Sequence, residues 1–314
     1  MKKVIVIAGV SGFLGKNLAL FMLGKGWQVR GVSRQEKLDF AHDELILYQW
    51  DGETEGEWMK AFEGADVVVN LAGRTVNCRY HQKNKHQVMF SRVRTTELIA
   101  SAIDKASEQG RAPELWVNSS TATIYRHAED KAQTDESGEI GEGFSIEVAK
   151  AWEAAFFESQ AKIRKVAMRT AIVLGSDKGS AFDVLYHLSK RYLGGTMGSG
   201  KQMVSWLHIE DFCRGVLHFI EHQNCEGVYN LSAPNPVTNK AFMQQIRRVS
   251  QTSFGLPATE WMLELGAFFM RTETELILKS RWVLPTRLQS EGFEFKFDQI
   301  ETCLDEITAQ SKKL

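Results

Sequence analysis

The sequence is short of cysteine, of long apolar runs and of charge of one sign. Its four cysteines, Cys78, Cys213, Cys225 and Cys303, show no C-x-x-C spacing and no evident histidine partner. That argues against a disulfide framework or a zinc site and for reduced thiols in the cytoplasm. No apolar stretch reaches the length of a membrane span. Met1-Lys2-Lys3 followed by Val4 to Ala8 imitates a signal peptide only briefly, because the apolar run is short and turns at once into glycine. A formal net charge of -1 without any basic run argues against nucleic acid or a membrane surface as partner. Repeats, low-complexity segments and flexible linkers are missing too, so the parts of the chain are expected to pack together. At 314 residues, 43% hydrophobic and 25% charged, what remains is a globular chain large enough for one α/β unit with a smaller part appended or inserted.

What is present begins with Val4-Ile5-Val6-Ile7-Ala8, which reads as a parallel strand covered on both faces. G-x-x-G-x-x-G follows at Gly9, Gly12 and Gly15. The first glycine permits a tight turn, the second lets backbone N–H groups approach a pyrophosphate, and the third lets the next helix pack closely on the strand. That helix, from about Leu14 to Lys25, would aim its positive end at the phosphates. Ser11, Phe13 and Leu14 fall in the same turn.

Further strands are expected at 26–34, Leu45–Trp50, Ala65–Gly73, Leu115–Asn118 and Val166–Gly175, alternating with helical segments. The alternation describes βαβ units and a doubly wound parallel sheet. The second strand ends in Ser33-Arg34, where an enzyme preferring NAD places an acidic residue. A cationic, hydroxyl-bearing end fits the 2′-phosphate of NADP; a solvated turn arginine is the alternative. Asp51 is placed either to accept from an adenine amino group or to start a turn. Leu71-Ala72-Gly73 supplies small residues against which a cofactor ribose can lie, and the following loop carries Arg74, Arg79 and Tyr80. A long helix over 83–108 keeps an apolar stripe and a polar back. Another helix, over 145–160, is expected to be capped by Ser145 and to hold Ile146 and Lys150 on one face. Beyond 179 the expectation is a mainly helical part, with Asp211 capping the helix that runs to His222.

The set Gly9/Gly12/Gly15, Ser33-Arg34, Asp51, Asn70-Leu71-Ala72-Gly73, Ser120-Thr121 and Lys150 resembles the extended short-chain dehydrogenase/reductase superfamily. Arg169-Thr170-Ala171-Ile172-Val173-Leu174-Gly175, Gly198-Ser199-Gly200-Lys201-Gln202, Ser205-Trp206-Leu207-His208-Ile209 and Leu284-Pro285-Thr286-Arg287-Leu288 look like one atypical subgroup. That subgroup is the nucleoside-diphosphate-sugar epimerase-like family with a small C-terminal domain of unknown function. The resemblance implies a Rossmann domain over 1–178, with 209–232 returning to it, and a substrate-side part over 179–208 and 233–314. It implies NADP(H) as cofactor, held by Gly9, Ser11, Gly12, Phe13, Leu14, Gly15, Ser33, Arg34, Asp51, Leu71, Ala72, Gly73 and Lys150.

In the superfamily a tyrosine four residues before the lysine moves the proton, the lysine holds the nicotinamide ribose, and a Ser or Thr polarises the carbonyl. Lys150 matches the lysine and Thr121 the hydroxyl, but the tyrosine position holds Ile146, which cannot carry a proton. Tyr125, Tyr80 and Cys78 are the nearby replacements, and packing is the alternative role for Tyr125. Val204 stands where sugar-nucleotide epimerases place an arginine on the substrate diphosphate, which Arg74 or Arg79 would have to replace unless both are surface ion-pair residues. Two functions follow as expectations. One is an NADP-dependent oxidoreductase or epimerase acting on a small polar substrate; the other is an NADP(H)-binding sensor or interaction protein with little turnover. Oligomeric state is not written in the sequence.

Overall fold

A strand in which every residue is buried can only be central. Val4–Ala8 forms that strand, β1, and pairs in parallel on both sides. Its alternate residues serve two cores: Ile5 and Ile7 join one buried cluster, while Val4, Val6 and Ala8 join another. The computed structural model describes residues 2–264 and 273–311. Around β1 lie β2 (Gln28–Ser33), β3 (Leu45–Gln49), β4 (Val67–Asn70), β5 (Leu115–Thr121) and β6 (Arg164–Thr170). With a late strand, β10 (Gly227–Leu231), they make a seven-stranded parallel sheet in the order β10-β6-β5-β4-β1-β2-β3.

Helices cover both faces, as buried parallel strands require. On one side α1 (Phe13–Gly24) brings Leu18, Met22 and Leu23, and α5 (Ile209–Glu221) brings Phe212, Val216 and Phe219. On the other, α2 (Gln82–Glu108) brings Leu98, Ile99 and Ile103, and α3 (Phe144–Phe157) brings Phe156. The connections run in opposite directions from β1, through β2 to β3 and through β4 to β5. The reversal opens a crevice at the carboxyl ends of β1 and β4.

The strand expected over 166–175 is two strands. Ala171 N–H still donates to Leu231 O at 3.0 Å, but β7 (Ile172–Leu174) pairs instead with β9 (Trp206–His208), which follows the short β8 (Met203–Val204). That departure starts a second core, in which Leu174 and Trp206 pack with Phe242, Met243 and Ile246 of α6 (Asn239–Val249) and with Leu304 and Ile307 of the last helix, Ile300–Ser311. Between them α4 (Ala181–Lys190) is capped by Ser180, whose Oγ accepts from Asp183 N–H at 3.2 Å. The expectation of a mainly helical end meets short helices at Glu275–Leu278 and Thr286–Ser290; residues 265–272 and 312–314 of that stretch lie outside the described residues.

Two expected caps fall elsewhere. Gly143, not Ser145, caps α3, because the chain enters the helix two residues earlier; Ser145 Oγ donates instead to Glu275 Oε2 at 3.1 Å. His208, not Asp211, caps α5, its Nδ1 accepting from Glu210 N–H at 3.1 Å. Asp211 lies within the first turn and is fully buried, with its carboxylate accepting from the N–H groups of Lys296 and Phe297 and from Arg214. It fastens the C-terminal segment to α5. Among the described residues no helix is long and apolar enough to cross a membrane.

Candidate active site

The glycine turn after β1 is shaped by contacts that leave no room for side chains. Gly9 has φ +85°, and a Cβ there would stand 2.9 Å from the Leu71 carbonyl carbon. A Cβ on Gly15 would meet Gly9 O at 2.2 Å, so α1 can approach β1 this closely only through glycine. Gly12 caps α1 without a side-chain partner, and no acidic residue occupies the first turn. The first-turn N–H groups, which have no partners inside a helix, therefore face the crevice in a positive field. Such a cradle fits the pyrophosphate of a dinucleotide.

From this turn the crevice extends two ways. One arm is a cavity of about 330 Å³ lined by Gly9, Ser11, Gly12, Ser33, Arg34, Asp51 and Leu71 to Arg74. Ser33 Oγ donates to Ser11 Oγ at 2.9 Å and accepts from Gln35 N–H at 3.0 Å, which orders the end of β2, while Arg34 is exposed to the cavity mouth. The Asp51 carboxylate accepts from the N–H groups of Glu53 and Thr54 and from the Thr54 hydroxyl. These bonds, the hydroxyl's first, hold its pKa down at about 2, so Asp51 is an ionised turn anchor as well as a lining residue. Arg74 lines this arm too, its Nη2 donating to Asn84 Oδ1 at 3.0 Å. The sequence places it with the substrate; in the structure it shares the lining of this arm with Arg34.

The second arm is a cavity of about 400 Å³, mostly apolar, lined by Phe13, Leu14, Leu71 to Gly73, Tyr80, Arg92, Ser119 to Thr121, Phe144, Ser145, Val148 and Trp152. Thr121 Oγ1 accepts from Thr123 N–H at 3.1 Å, which leaves its own O–H to donate into the cavity. Tyr80 packs edge-on against Phe144, with ring centroids 4.9 Å apart. Burial pushes its pKa up, while its bond with Ser145 and the Arg92 charge pull the other way. Arg79, its neighbour, pairs with Glu273 at 3.7 Å and is absent from the wall of this cavity.

Two expected catalytic residues are not on that wall. The cavity face of α3 consists of Phe144, Ser145, Val148 and Trp152. Lys150 lies about 160–200° around the helix from the last two and is exposed. Ile146 is buried with Ala122, Ile124, Tyr125, Ala149 and Val283. One residue of slip turns a side chain by about 100°, so a four-residue spacing alone does not set which face of α3 meets the cavity. Tyr125 is 2% exposed, and its hydroxyl donates to Asn230 Oδ1 at 2.7 Å and accepts from Arg169 Nη1 at 3.1 Å. Arg169 is held in turn by two bonds to Glu153, which also accepts from Ser120 Oγ. Tyr125 thus has the packing role, within a buried network behind the cavity.

Residues 5–232 match the family described as NAD dependent epimerase/dehydratase, and residues 258–307 match a domain of unknown function. The chain belongs to that epimerase/dehydratase family. Similar relatives include the epimerase family protein YfhF of Bacillus subtilis, 30% identical over 98% of this chain and 99% of that protein. A chloroplastic homologue of epimerase family protein SDR39U1 from Arabidopsis thaliana is 28% identical over 96% of this chain and 85% of its own length. The crystal structure of human SDR39U1 with NADPH superposes at a TM-score of 0.83, with 27% identity, over 99% of this chain and all of that one.

Within this family frame, three cations near the site escaped the sequence reading. Arg92 reaches into the second arm from the polar back of α2; its Nη1 donates to the carbonyls of Arg74 and Val88, and burial lowers its pKa to about 10. Lys279 and Arg281 come from the C-terminal part and line a small adjoining cavity of about 80 Å³, together with Val204. Arg281 N–H donates to Met203 O at 2.8 Å, which brings the pair beside the strand where an arginine was missing. Lys279 Nζ donates to Thr123 O at 2.9 Å, and burial, helped by Arg281, pushes its pKa down to about 8. Arg92 had a usable signal, an arginine interrupting the helix next to the stripe. Lys279 and Arg281 had none, because only the fold brings residue 281 to residue 203.

Proposed function

We propose that the protein holds NADP(H) along the crevice and acts as an oxidoreductase or epimerase-like enzyme on a small polar substrate, with Tyr80 as its proton-moving group. The Gly9–Gly15 cradle and the α1 N-terminus fit the pyrophosphate, and Arg34, Arg74 and Ser11 fit the 2′-phosphate end. NADPH in the related human structure supports the same cofactor. When bound, the nicotinamide supplies hydride transfer. The chain's own part is to place a substrate oxygen between the Thr121 O–H and the Tyr80 O–H, in an apolar cavity that excludes water. Tyr80 carries this reading, as a half-buried phenol on the cavity wall with a cation, Arg92, acting on it. A neighbouring cation favours the phenolate, the service a lysine performs in the usual arrangement, although burial and the Glu275 charge outweigh it here and hold the Tyr80 pKa above its ordinary value.

Lys279 and Arg281 make an anionic substrate group the natural occupant of the adjoining space. Four cysteines without a disulfide among them suit a reducing compartment such as the cytoplasm. A second reading is favoured by one observation: the lysine on α3 faces solvent, and its phenol position is aliphatic. On that reading the protein binds NADP(H) and reports on it with little turnover. A screen of carbonyl and sugar-nucleotide substrates for NADPH oxidation separates the two. Turnover that Tyr80→Phe abolishes while NADPH still binds supports the enzyme. Tight NADPH binding with no turnover across the screen supports the sensor.

A further inference from the structure

The carboxyl ends of the strands carry the crevice, but a second cluster of reactive side chains sits at the opposite end of the sheet. His218 lies in the last turn of α5, Cys225 in the turn before β10, and Glu291 just after the helix Thr286–Ser290. One ligand atom from each of the three falls within 4.8 Å of the others. Cys225 is fully buried and His218 is 7% exposed. Cys225 Sγ donates to Glu291 Oε2 at 3.2 Å, and the Tyr229 hydroxyl reaches both oxygens of the same carboxylate at 2.9 and 3.0 Å. His218 Nε2 is buried without a hydrogen-bond partner among the described residues. An imidazole nitrogen left so costs about 1–3 kcal/mol, and a ligand that takes up nitrogen lone pairs removes the cost.

We infer that His218, Cys225 and Glu291 form a divalent transition-metal site, with zinc as the natural occupant. The donor set decides the class. Sulfur with imidazole nitrogen suits zinc, cobalt or ferrous iron, whereas calcium and magnesium take oxygen alone. Binding forms bonds from the metal to sulfur, nitrogen and a carboxylate oxygen, and the Cys225 proton leaves to buffer. The S–H donated to Glu291 is lost, which returns that oxygen's lone pair to the metal. Behind the ligands, Arg287 Nε donates to Glu291 Oε1 at 3.1 Å and its guanidinium stacks 4.0 Å from the Tyr229 ring centroid. These contacts fix the carboxylate in the way that residues behind metal ligands do. Arg287 also opposes the incoming charge, but its side chain is 30% exposed and solvent screens it. The expectation of no zinc site rests on short spacings between cysteines and histidines, and Glu291 lies 66 residues beyond Cys225.

The site would join three separate stretches of chain: the end of α5, the entry to β10 and the C-terminal segment. Its role is therefore structural, away from the crevice, and its test does not depend on the function proposed above. The full chain, stripped with chelator and dialysed, is titrated with Co²⁺ and then with Zn²⁺. We expect one Co²⁺ per chain with a thiolate-to-cobalt charge-transfer band, bleached by Zn²⁺, and a melting temperature that rises with zinc. Cys225→Ser should abolish the band, and Glu291→Gln and His218→Gln should each weaken binding at least tenfold. Cys78→Ser, a change at a partly exposed cysteine outside the cluster, should leave it intact. Circular dichroism melts check that each variant folds, and the Glu291 and His218 variants carry the test should Cys225→Ser not fold. Absence of the band in the unmutated chain, its persistence in Cys225→Ser, or unchanged affinity in both other variants overturns the site.

Discussion

The guanidinium of Arg92 lies over the indole of Trp152, 5.1 Å from the ring centroid. Trp152 is itself pinned, its Nε1 donating to Thr96 Oγ1 at 3.0 Å, so the cation rests on a fixed part of the wall of the second arm. No carboxylate among the described residues is paired with it. A half-buried arginine that rests on carbonyls and a π face costs stability and calls for an occupant. Arg92→Met is therefore expected to leave the melting temperature unchanged or raise it, while lowering kcat/KM for an accepted substrate about ten- to hundredfold, the scale of one charge-assisted bond. Thermal melts and steady-state kinetics on the same preparation check both halves, and a fall in both together would mark Arg92 as merely structural.

Cofactor choice should depend on the rim of the first arm, the cavity that Arg34 lines. Arg34→Ala is expected to weaken NADPH by about 1.5–3 kcal/mol and to leave NADH where it was, which erases a preference of about ten- to hundredfold. Arg74→Ala should act in the same direction with a smaller effect. Calorimetry with both nucleotides measures this directly, and equal affinities in the unmutated protein would mean that β2 ends against something other than a phosphate.

The two tyrosines should separate chemistry from stability. Tyr80→Phe is expected to remove turnover with NADPH affinity kept. Tyr125→Phe, by stranding Asn230 and Arg169, should cost about 1–2 kcal/mol in denaturant melts and leave kinetics close to normal. Lys150→Ala should change neither quantity, because the residue faces solvent.

Lys279 gives the stability curve a sign. Its folded pKa, near 8, is below the usual lysine value of 10.5, so the folded state resists the proton that the unfolded chain takes up. Between about pH 8 and 10.5 the unfolded state binds more protons, and stability from this group rises with pH. Below pH 8 the cost is fully present. Lys279→Met is expected to stabilise by about 1–3 kcal/mol at pH 7, with the gain shrinking as pH climbs through that window. A gain that stayed constant across the window would assign the effect to packing.

Much of the sheet could be read from residues because its signals are local. Runs such as Val67 to Val69 and the spacing of Gly9, Gly12 and Gly15 constrain backbone within a few residues of themselves. The site was less legible because it depends on phase and on distance. A four-residue interval places Ile146 and Lys150 together on α3, yet nothing in the interval says which way that face points, and the cap at Gly143 turned it from the cavity. Arg92 sits beside the apolar stripe of α2, a signal that the polar side of the same helix masks. Lys279 and Arg281 were beyond reach because their neighbours, Thr123 and Met203, are far away along the chain.

The edge strand Gly227–Leu231 reaches β6 only after the polypeptide has gone out at Ala171 and built part of the second core. The two lobes are thus laced together and cannot be traded as cassettes. A gene fragment stopped at 178 would leave one flank of β6 bare and prone to sticking to its own kind. Engineers grafting a new recognition lobe onto this scaffold would have to splice at several points at once.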